Sequence, residues 1–273
     1  MNPDPGTMLK EQVKEFWERQ SCDTDQAQST KFSREYFEEV ERWRYAHQPF
    51  IHSFAQFTRY RGKKVLEVGF GAGTDFIQWL RAGAVASGID LTQEALENLS
   101  HRIQIYSLSP PESIRVADAE NLPFPSDQFD LGYSFGVLHH SPNTERAVEE
   151  LVRVIRPGGE LKMMLYNRRS LAVFNVWVKR ALLRGRPWKS LRWALWHHME
   201  SVGTKGYTRS EILRMLSRLP LTDVQIQTEA TLIDQIVGSK LFRPLNFLLR
   251  FAMRLSDRRL GFFHCIRARK TGS

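Results

Sequence analysis

Cysteine is scarce in this chain, and long uncharged hydrophobic runs are absent. Its 273 residues include two cysteines, Cys22 and Cys265, whose separation matches no metal-binding or redox motif and excludes a disulfide framework. The most apolar stretches, near 170–183 and 241–255, are interrupted by arginine and lysine, whereas a spanning helix needs about 20 mostly apolar residues. Since no signal peptide is recognisable either, the sequence predicts a cytoplasmic protein without a membrane-spanning helix.

Acidic residues are missing from one long segment. Between Leu161 and Met199 there is no aspartate or glutamate, but there are nine basic residues and four of the seven tryptophans. The rest of the chain has 30 basic and 30 acidic residues, so the formal net charge of +9 resides in this segment. A cationic rim beside aromatic side chains suits an anionic membrane or an anionic acceptor, although an ordinary covering helix with a solvated basic face shows the same pattern. A second basic amphipathic segment lies at 240–259.

Strands and helices alternate along the middle of the chain. The strand-like runs are 64–68, 85–89, 113–117, 129–135 and 161–166, and helical patterns cover 92–102 and 144–155. Such alternation predicts βαβ units and a parallel sheet, with the ligand at the carboxyl ends of the strands. Helical patterns also precede the first strand, as in the stretch 36–45.

The stretch KKVLEVGFGAGTD contains three glycines on alternate positions, Gly69, Gly71 and Gly73. They form the turn from the first strand to the next helix, where a ligand can meet bare backbone and a helix N-terminus. A dinucleotide-binding fingerprint would need its third glycine at position 74, which is Thr74. Glu67, at the mouth of the strand, would accept hydrogen bonds from a cationic amine and would repel a pyrophosphate.

Two further acids follow at strand ends. Asp90 ends the second strand, about 20 residues after the glycines, where a carboxylate can bind ribose hydroxyls. Asp118 ends the third strand. At this point the chain resembles the class I S-adenosylmethionine-dependent methyltransferases, in particular the broad small-molecule group called methyltransferase domain type 11. The motifs that carry the resemblance are, in chain order, Glu67 with the glycines, Asp90, Asp118-Ala119, FDLGYSFGVLHHSPN and LVRVIRPGGEL.

The resemblance implies an α/β fold, a Rossmann-like, doubly wound and mostly parallel seven-stranded sheet with an N-terminal helical extension and a helical lid insertion. It also implies four regions. These are a helical extension or cofactor lid (1–58), a Rossmann-like core that binds the cofactor (59–166), a basic, tryptophan-rich acceptor lid (167–207) and a C-terminal part of the sheet with a second basic amphipathic helix (208–273).

The resemblance further implies S-adenosylmethionine as the cofactor. Glu67 and the glycine loop would hold its methionine part, Asp90 its ribose, and Leu91 with the Asp118-Ala119 pair its adenine. The complete set of expected cofactor contacts is Glu67, Gly69, Phe70, Gly71, Gly73, Asp90, Leu91, Asp118, Ala119, Ser134 and Phe135. Two alternatives stay open: the strand-end acids as simple caps, and a reach of Tyr36 or Arg44 to the cofactor carboxylate.

His139 and His140 follow the fourth strand, where a methyl acceptor must lie, and a histidine can take a proton near neutral pH. Both are therefore candidate general bases, and His140 matches the recurrent histidine of the family. Either one could instead order the start of the following helix. No metal site is expected, because adjacent histidines such as His197 and His198 lack the one-face spacing that metal ligands usually show.

Two absences restrict the acceptor. The stretch after the fourth strand lacks the (Asp/Asn)-Pro-Pro-aromatic signature of amino-modifying nucleic-acid methyltransferases, and there is no Pro-Cys nucleophile. We therefore expect a small-molecule or lipid-like acceptor, with peripheral association with an anionic membrane, and not a nucleic acid. A Rossmann-type NAD(P)-dependent oxidoreductase and a non-catalytic module that binds RNA or membrane remain as alternatives.

Overall fold

A single mixed sheet organises the chain. The computed structural model describes residues 4–231, 234 and 259–272. The sheet has the order β3-β2-β1-β4-β5-β7-β6, in which β7 is antiparallel to both neighbours and the other pairs are parallel. Its strands are β1 (Lys64–Val68), β2 (Val85–Asp90), β3 (Ser113–Val116), β4 (Phe129–Phe135), β5 (Ile155–Tyr166), β6 (Leu221–Glu229) and β7 (Phe263–Lys270). The predicted doubly wound α/β fold is confirmed.

The central strands are buried on both faces, which explains their nearly continuous apolar sequences. The predicted bounds are confirmed for β1 and β4 and are within one residue for β2 and β3. β5 begins six residues earlier than predicted. Its Arg156-Pro-Gly-Gly stretch resembles a turn in sequence, but it continues as extended chain beside β4 through a shift in register between Phe129 and Leu131.

Capped helices cover the sheet. Thr92, Asn143 and Thr208 each accept a hydrogen bond from a backbone N–H in the first turn of the helix that follows, so each helix starts where its N-cap residue stands. Thr208 and Glu211 form a complete capping box. These covering helices are α4 (Phe76–Arg81), α5 (Gln93–Ile105), α6 (Thr144–Val154) and α9 (Arg209–Leu216).

Three helices precede the sheet: α1 (Pro5–Arg19), α2 (Arg34–His47) and α3 (Phe50–Ala55). The fully buried side chain of Arg102, on α5, fastens α2 to the glycine loop. Its guanidinium donates to the carbonyls of Ala72 and Phe37, to the Thr74 hydroxyl and to the carboxylate of Glu41. The N-terminal helices are thereby held beside the carboxyl ends of the strands.

The acid-free segment contributes α7 (Leu171–Arg180) and α8 (Leu191–His198), which pack on each other. Within the described ranges, no helix has the length and apolar character needed to cross a membrane. The second basic amphipathic segment, 240–259, lies outside the described residues except for Arg259. The four predicted regions stay a prediction.

Candidate active site

One cavity of about 590 Å³ opens at the carboxyl ends of the parallel strands, where ligands bind in open α/β sheets. Most of the residues predicted to bind the cofactor line this cavity, and His140 lines it as well. The predicted residues that it brings together are Glu67, Gly69, Phe70, Gly71, Asp90, Leu91, Asp118, Ala119, Phe135 and His140. A helical cover built from α1 and α2 adds Lys10, Val13, Phe16, Trp17, Trp43 and Arg44.

The glycine loop has left-handed backbone at each glycine, with φ of 81° at Gly69, 51° at Gly71 and 73° at Gly73. A Cβ atom on Gly69 would lie 2.2 Å from a methyl group of Val137, whereas a Cβ atom on Gly71 would meet no atom within 4 Å. Gly71 therefore leaves space on the cavity side. Gly73 does not line the cavity, contrary to the expectation, because it packs on Leu99 of α5.

Glu67 is almost completely buried at the floor of the cavity. Its carboxylate accepts a hydrogen bond of 2.7 Å from the indole N–H of Trp79. Burial, together with the nearby charge of Asp75, raises the pKa of Glu67 well above its usual range. A ligand ammonium at this position would stabilise the carboxylate, so the residue fits the methionine end of S-adenosylmethionine.

An ion-pair cluster lies beside Glu67. Arg44 donates to both oxygens of Asp75, at 3.0 and 2.8 Å, and to Asp23 at 3.1 Å. The hydroxyls of Tyr45 and Tyr133 also donate to Asp75. Burial alone would raise the pKa of Asp75, but Arg44 and these hydroxyls hold it below its usual range. Arg44 is thus a cationic wall of the cavity, whereas Tyr36 lies outside it and donates to Asn98.

The acids at the ends of β2 and β3 have partners within the protein. Asp90 accepts from the backbone N–H of Gly71 at 2.9 Å and from both the N–H and the hydroxyl of Thr92. Asp118 accepts from the Glu120 N–H and pairs with Lys10 of α1 at 2.6 Å. Both carboxylates therefore hold nearby backbone N–H groups in place, as expected of capping residues. Both residues also line the cavity.

The two histidines after β4 differ in their surroundings. His140 lines the cavity with its ring edge-on to Trp17 at 5.4 Å between centroids. His139 does not line it, contrary to the expectation, because its fully buried ring packs against Tyr166 at 3.8 Å between centroids. Burial, with His140 and Lys205 nearby, lowers the pKa of His139 well below its usual range. Of the two histidines, His140 is therefore the one that faces the cavity.

Ser134 also lies outside the cavity, contrary to the expectation, since its hydroxyl donates to the carbonyl of Val68 inside the sheet. The predicted acceptor lid, 167–207, stays a prediction. From 167–207, only Glu200 lines the cavity, and α7 and α8 contribute no side chain to it. The apolar faces of α7 and α8 pack elsewhere. Among the described residues, the helices that cover the cavity are mainly α1 and α2.

Glu200 is the site residue that the sequence analysis missed. Its φ of 55° is a left-handed conformation, which costs a non-glycine residue about 1–2 kcal/mol. The Tyr166 hydroxyl lies 2.8 and 3.0 Å from its two carboxylate oxygens, and Nε2 of His140 lies 3.2 Å from one of them. Donor atoms of His139, His140 and Glu200 lie within 4.8 Å of one another, a spacing that also suits a metal cation.

Known proteins resemble the central part of the chain. A sequence model described as a methyltransferase domain matches residues 66–163. A phosphatidylethanolamine N-methyltransferase of Cereibacter sphaeroides is 37% identical over 101 residues, which is 37% of this chain and 49% of that protein. A phthiotriol/phenolphthiotriol dimycocerosates methyltransferase of Mycobacterium leprae is 36% identical over 118 residues, 42% of each chain. The matched part of the chain spans less than half the length of each of these relatives.

Solved structures of methyltransferases share the fold. A phosphoethanolamine N-methyltransferase of Haemonchus contortus gives a TM-score of 0.60 at 14% identity, covering 95% of this chain and 60% of that one. An S-adenosylmethionine-dependent methyltransferase of Mesorhizobium loti gives a TM-score of 0.56 at 18% identity, and the match covers 81% of this chain and 97% of that one. The glycine loop and the buried acids of the cavity indicate the same kind of protein as these similarities do. Residues 66–163 therefore match a methyltransferase domain, and the chain has the fold of the S-adenosylmethionine-dependent methyltransferases.

Proposed function

We propose that the protein transfers the methyl group of S-adenosylmethionine to a small-molecule or lipid-like acceptor. The observation that carries the proposal is the single cavity in which Glu67, the glycine loop and Asp90 face the same space as His140. Cofactor and acceptor must meet in one enclosed volume for a direct transfer, and here both sets of side chains share it.

When bound, S-adenosylmethionine supplies a methyl group on a positively charged sulfur that leaves as a neutral group. The protein then has to hold, orient and shield the reactants. Glu67 fits the ammonium, and Gly71 admits close contact with the backbone. α1 covers the cavity with Trp17 and its neighbours, which excludes water. His140 is the candidate to take a proton from the acceptor.

The alternatives are less well supported. A dinucleotide would bring its pyrophosphate to the glycine loop, where Thr74 replaces the third glycine and the buried carboxyl of Glu67 offers a pyrophosphate no positive charge. A non-catalytic module would have no need for a buried carboxylate such as Glu67, which is costly without a ligand. By their names, two relatives act on phosphatidylethanolamine and on phthiotriol compounds, which supports a lipid-like acceptor.

The direct test is transfer of a labelled methyl group from S-adenosylmethionine into fractionated cell extract. We expect label in one or a few extractable small molecules or lipids, and at least about tenfold less with the Glu67→Ala variant at a limiting cofactor concentration. Label found only in nucleic acid, or no transfer by protein that binds the cofactor, would contradict the proposal.

We further propose that an exposed basic and aromatic surface, formed by residues 180–192 with Phe174, docks the enzyme on anionic membranes that carry its acceptor. Leu183 and Trp188 are each 74% exposed. In the described part of the chain, Arg180, Arg184 and Arg186 have no acidic partner, whereas Arg168 and Arg192 pair with Glu211. Each basic residue near an anionic surface contributes up to about 1 kcal/mol.

Vesicle co-sedimentation tests this surface. We expect binding to vesicles containing phosphatidylserine at low ionic strength, release at high salt, and little binding to phosphatidylcholine alone. Changing Arg180, Arg184 and Arg186 to glutamate should abolish binding. The matched control reverses Arg42, Arg115 and Arg214, which are exposed elsewhere, and should retain most of it. Equal loss in both triple variants would reduce the effect to net charge and refute a docking surface.

A further inference from the structure

The two ring nitrogens of His140 have different surroundings, and these determine which one carries hydrogen. Nδ1 lies 2.9 Å from the Ser201 hydroxyl and 3.0 Å from the Thr204 hydroxyl. The single hydroxyl hydrogen of Thr204 is used at 2.7 Å on the Ser201 carbonyl, so its oxygen can only accept from the ring. A hydrogen on Nδ1 satisfies both contacts, whereas a lone pair there would oppose the Thr204 oxygen. The accepting Thr204 oxygen favours the Nδ1–H tautomer of His140, with the lone pair on Nε2.

The Nε2 lone pair faces another acceptor. A carboxylate oxygen of Glu200 lies 3.2 Å away, and no hydrogen bond of proper geometry forms between them. Tyr166 supplies the carboxylate with its single hydroxyl hydrogen from the opposite side. Nε2 and the Glu200 oxygen, both hydrogen-bond acceptors, thus lie next to each other at the cavity wall. Nε2 is buried and has no hydrogen-bond partner. A buried acceptor without a partner, such as Nε2, requires a donor from a ligand or a solvent molecule, and Glu200 at the more exposed side can share that donor.

We propose that the methyl-accepting group is an amine, and that Nε2 of His140 and the carboxylate of Glu200 receive it together. The inference rests on the proposed methyl transfer and specifies its acceptor. An ammonium has several N–H donors and can satisfy both acceptors at once, whereas a hydroxyl has one and would leave the other unpaired. Its positive charge is neutralised by Glu200. The rings of Trp17 and Tyr166, which also line the cavity, favour a cation at short range.

The same arrangement provides the proton transfer that an ammonium needs before it can react. The ammonium gives one proton to Nε2, and the imidazolium that forms is stabilised by the Glu200 carboxylate. The nitrogen lone pair released by this step forms the new bond to the methyl carbon while the carbon–sulfur bond breaks and its electron pair stays on sulfur. The positive charge of the sulfonium passes to the methylated ammonium product, so charge and atoms balance.

The element that accepts the methyl group is read directly by transferring a 13C-labelled methyl group into cell extract and recording the carbon NMR spectrum of the product. We expect an N-methyl resonance. An O-, S- or C-methyl product would overturn the amine while leaving the proposed function intact. Absence of any product would instead count against the proposed function.

Substitution of Glu200 tests the pair. In Glu200→Gln the charge is lost and the new amide can donate to Nε2, which occupies the lone pair. We expect the KM for the amine to rise at least about tenfold, while the Kd for S-adenosylmethionine changes little. Glu149→Gln, an exposed acid on α6, is the matched control and should leave both unchanged. An unchanged KM in Glu200→Gln would overturn the role of Glu200.

Two further readouts do not depend on turnover. Nitrogen NMR of the labelled imidazole should show hydrogen on Nδ1 and none on Nε2 of neutral His140, and the reverse tautomer would overturn the argument. If Glu200→Gln fails to fold, Tyr166→Phe removes the hydrogen bond that orients the carboxylate and should raise the same KM. Dialysis against EDTA distinguishes a metal cation at these atoms: loss of transfer that Zn²⁺ restores would replace the amine proposal.

Discussion

Adding a single methyl group at Gly71 separates the effect on cofactor affinity from the effect on protein stability. Its φ of 51° is left-handed, and a Cβ atom there would meet no protein atom within 4 Å. Gly71→Ala should therefore lose only the backbone term of about 1–2 kcal/mol. For a chain of this size that loss lowers Tm by about 2–4 °C per kcal/mol. The strain is the same with and without ligand, so it cancels in the binding free energy.

The methyl group of Gly71→Ala points into space that we assign to the cofactor. We expect calorimetry to show at least about tenfold weaker binding of S-adenosylmethionine, or about 1.4 kcal/mol. Gly62→Ala is the matched control, since its φ is 69°, its Cβ would also meet nothing, and it does not line the cavity. It should lose similar stability and no affinity. Equal affinities in the two variants would refute the assignment of the loop.

Three other perturbations test separate parts of the molecule. His140→Ala should lower turnover about 10²-fold or more at unchanged cofactor affinity, measured as kcat against the calorimetric Kd, and a parallel loss of Tm and affinity would return His140 to a structural role. Arg102→Leu should lower the free energy of unfolding by about 3–5 kcal/mol, because Glu41 and two carbonyls lose a buried partner, and a loss below 1 kcal/mol in denaturant titration would contradict this. Burial lowers the pKa of Lys162 to about 7, below the value of about 10.4 in the unfolded chain. Between these values the unfolded chain binds more protons, so stability should rise with pH from 7 to 10, and Lys162→Met should remove that rise.

The Rossmann-like core was predictable because its rules are local. Alternating strand and helix patterns determine a parallel sheet, and the glycines at 69 and 71 are needed by the backbone itself. Glu67, Asp90 and Asp118 could be assigned because strand ends converge on one edge of the sheet.

The remaining features depend on tertiary contacts that the sequence does not encode in any short pattern. Glu200 meets His140 only after the chain has passed through α6, β5, α7 and α8, and Lys10 reaches Asp118 across 108 positions. The acid-free segment showed an amphipathic pattern, which reveals that one face is buried but not what it packs against. Its role as an acceptor lid therefore stays a prediction, while α1 and α2 of the predicted cofactor lid line the cavity.

Calorimetric titration of the purified protein with S-adenosylmethionine, S-adenosylhomocysteine and NAD(P)⁺ tests the central claim most directly. The cavity predicts saturable binding of both sulfur nucleosides at one site per chain, weakened at least about tenfold in Glu67→Ala, and no binding of the dinucleotide. Tight binding of a nicotinamide dinucleotide, with none of either sulfur nucleoside, would contradict it.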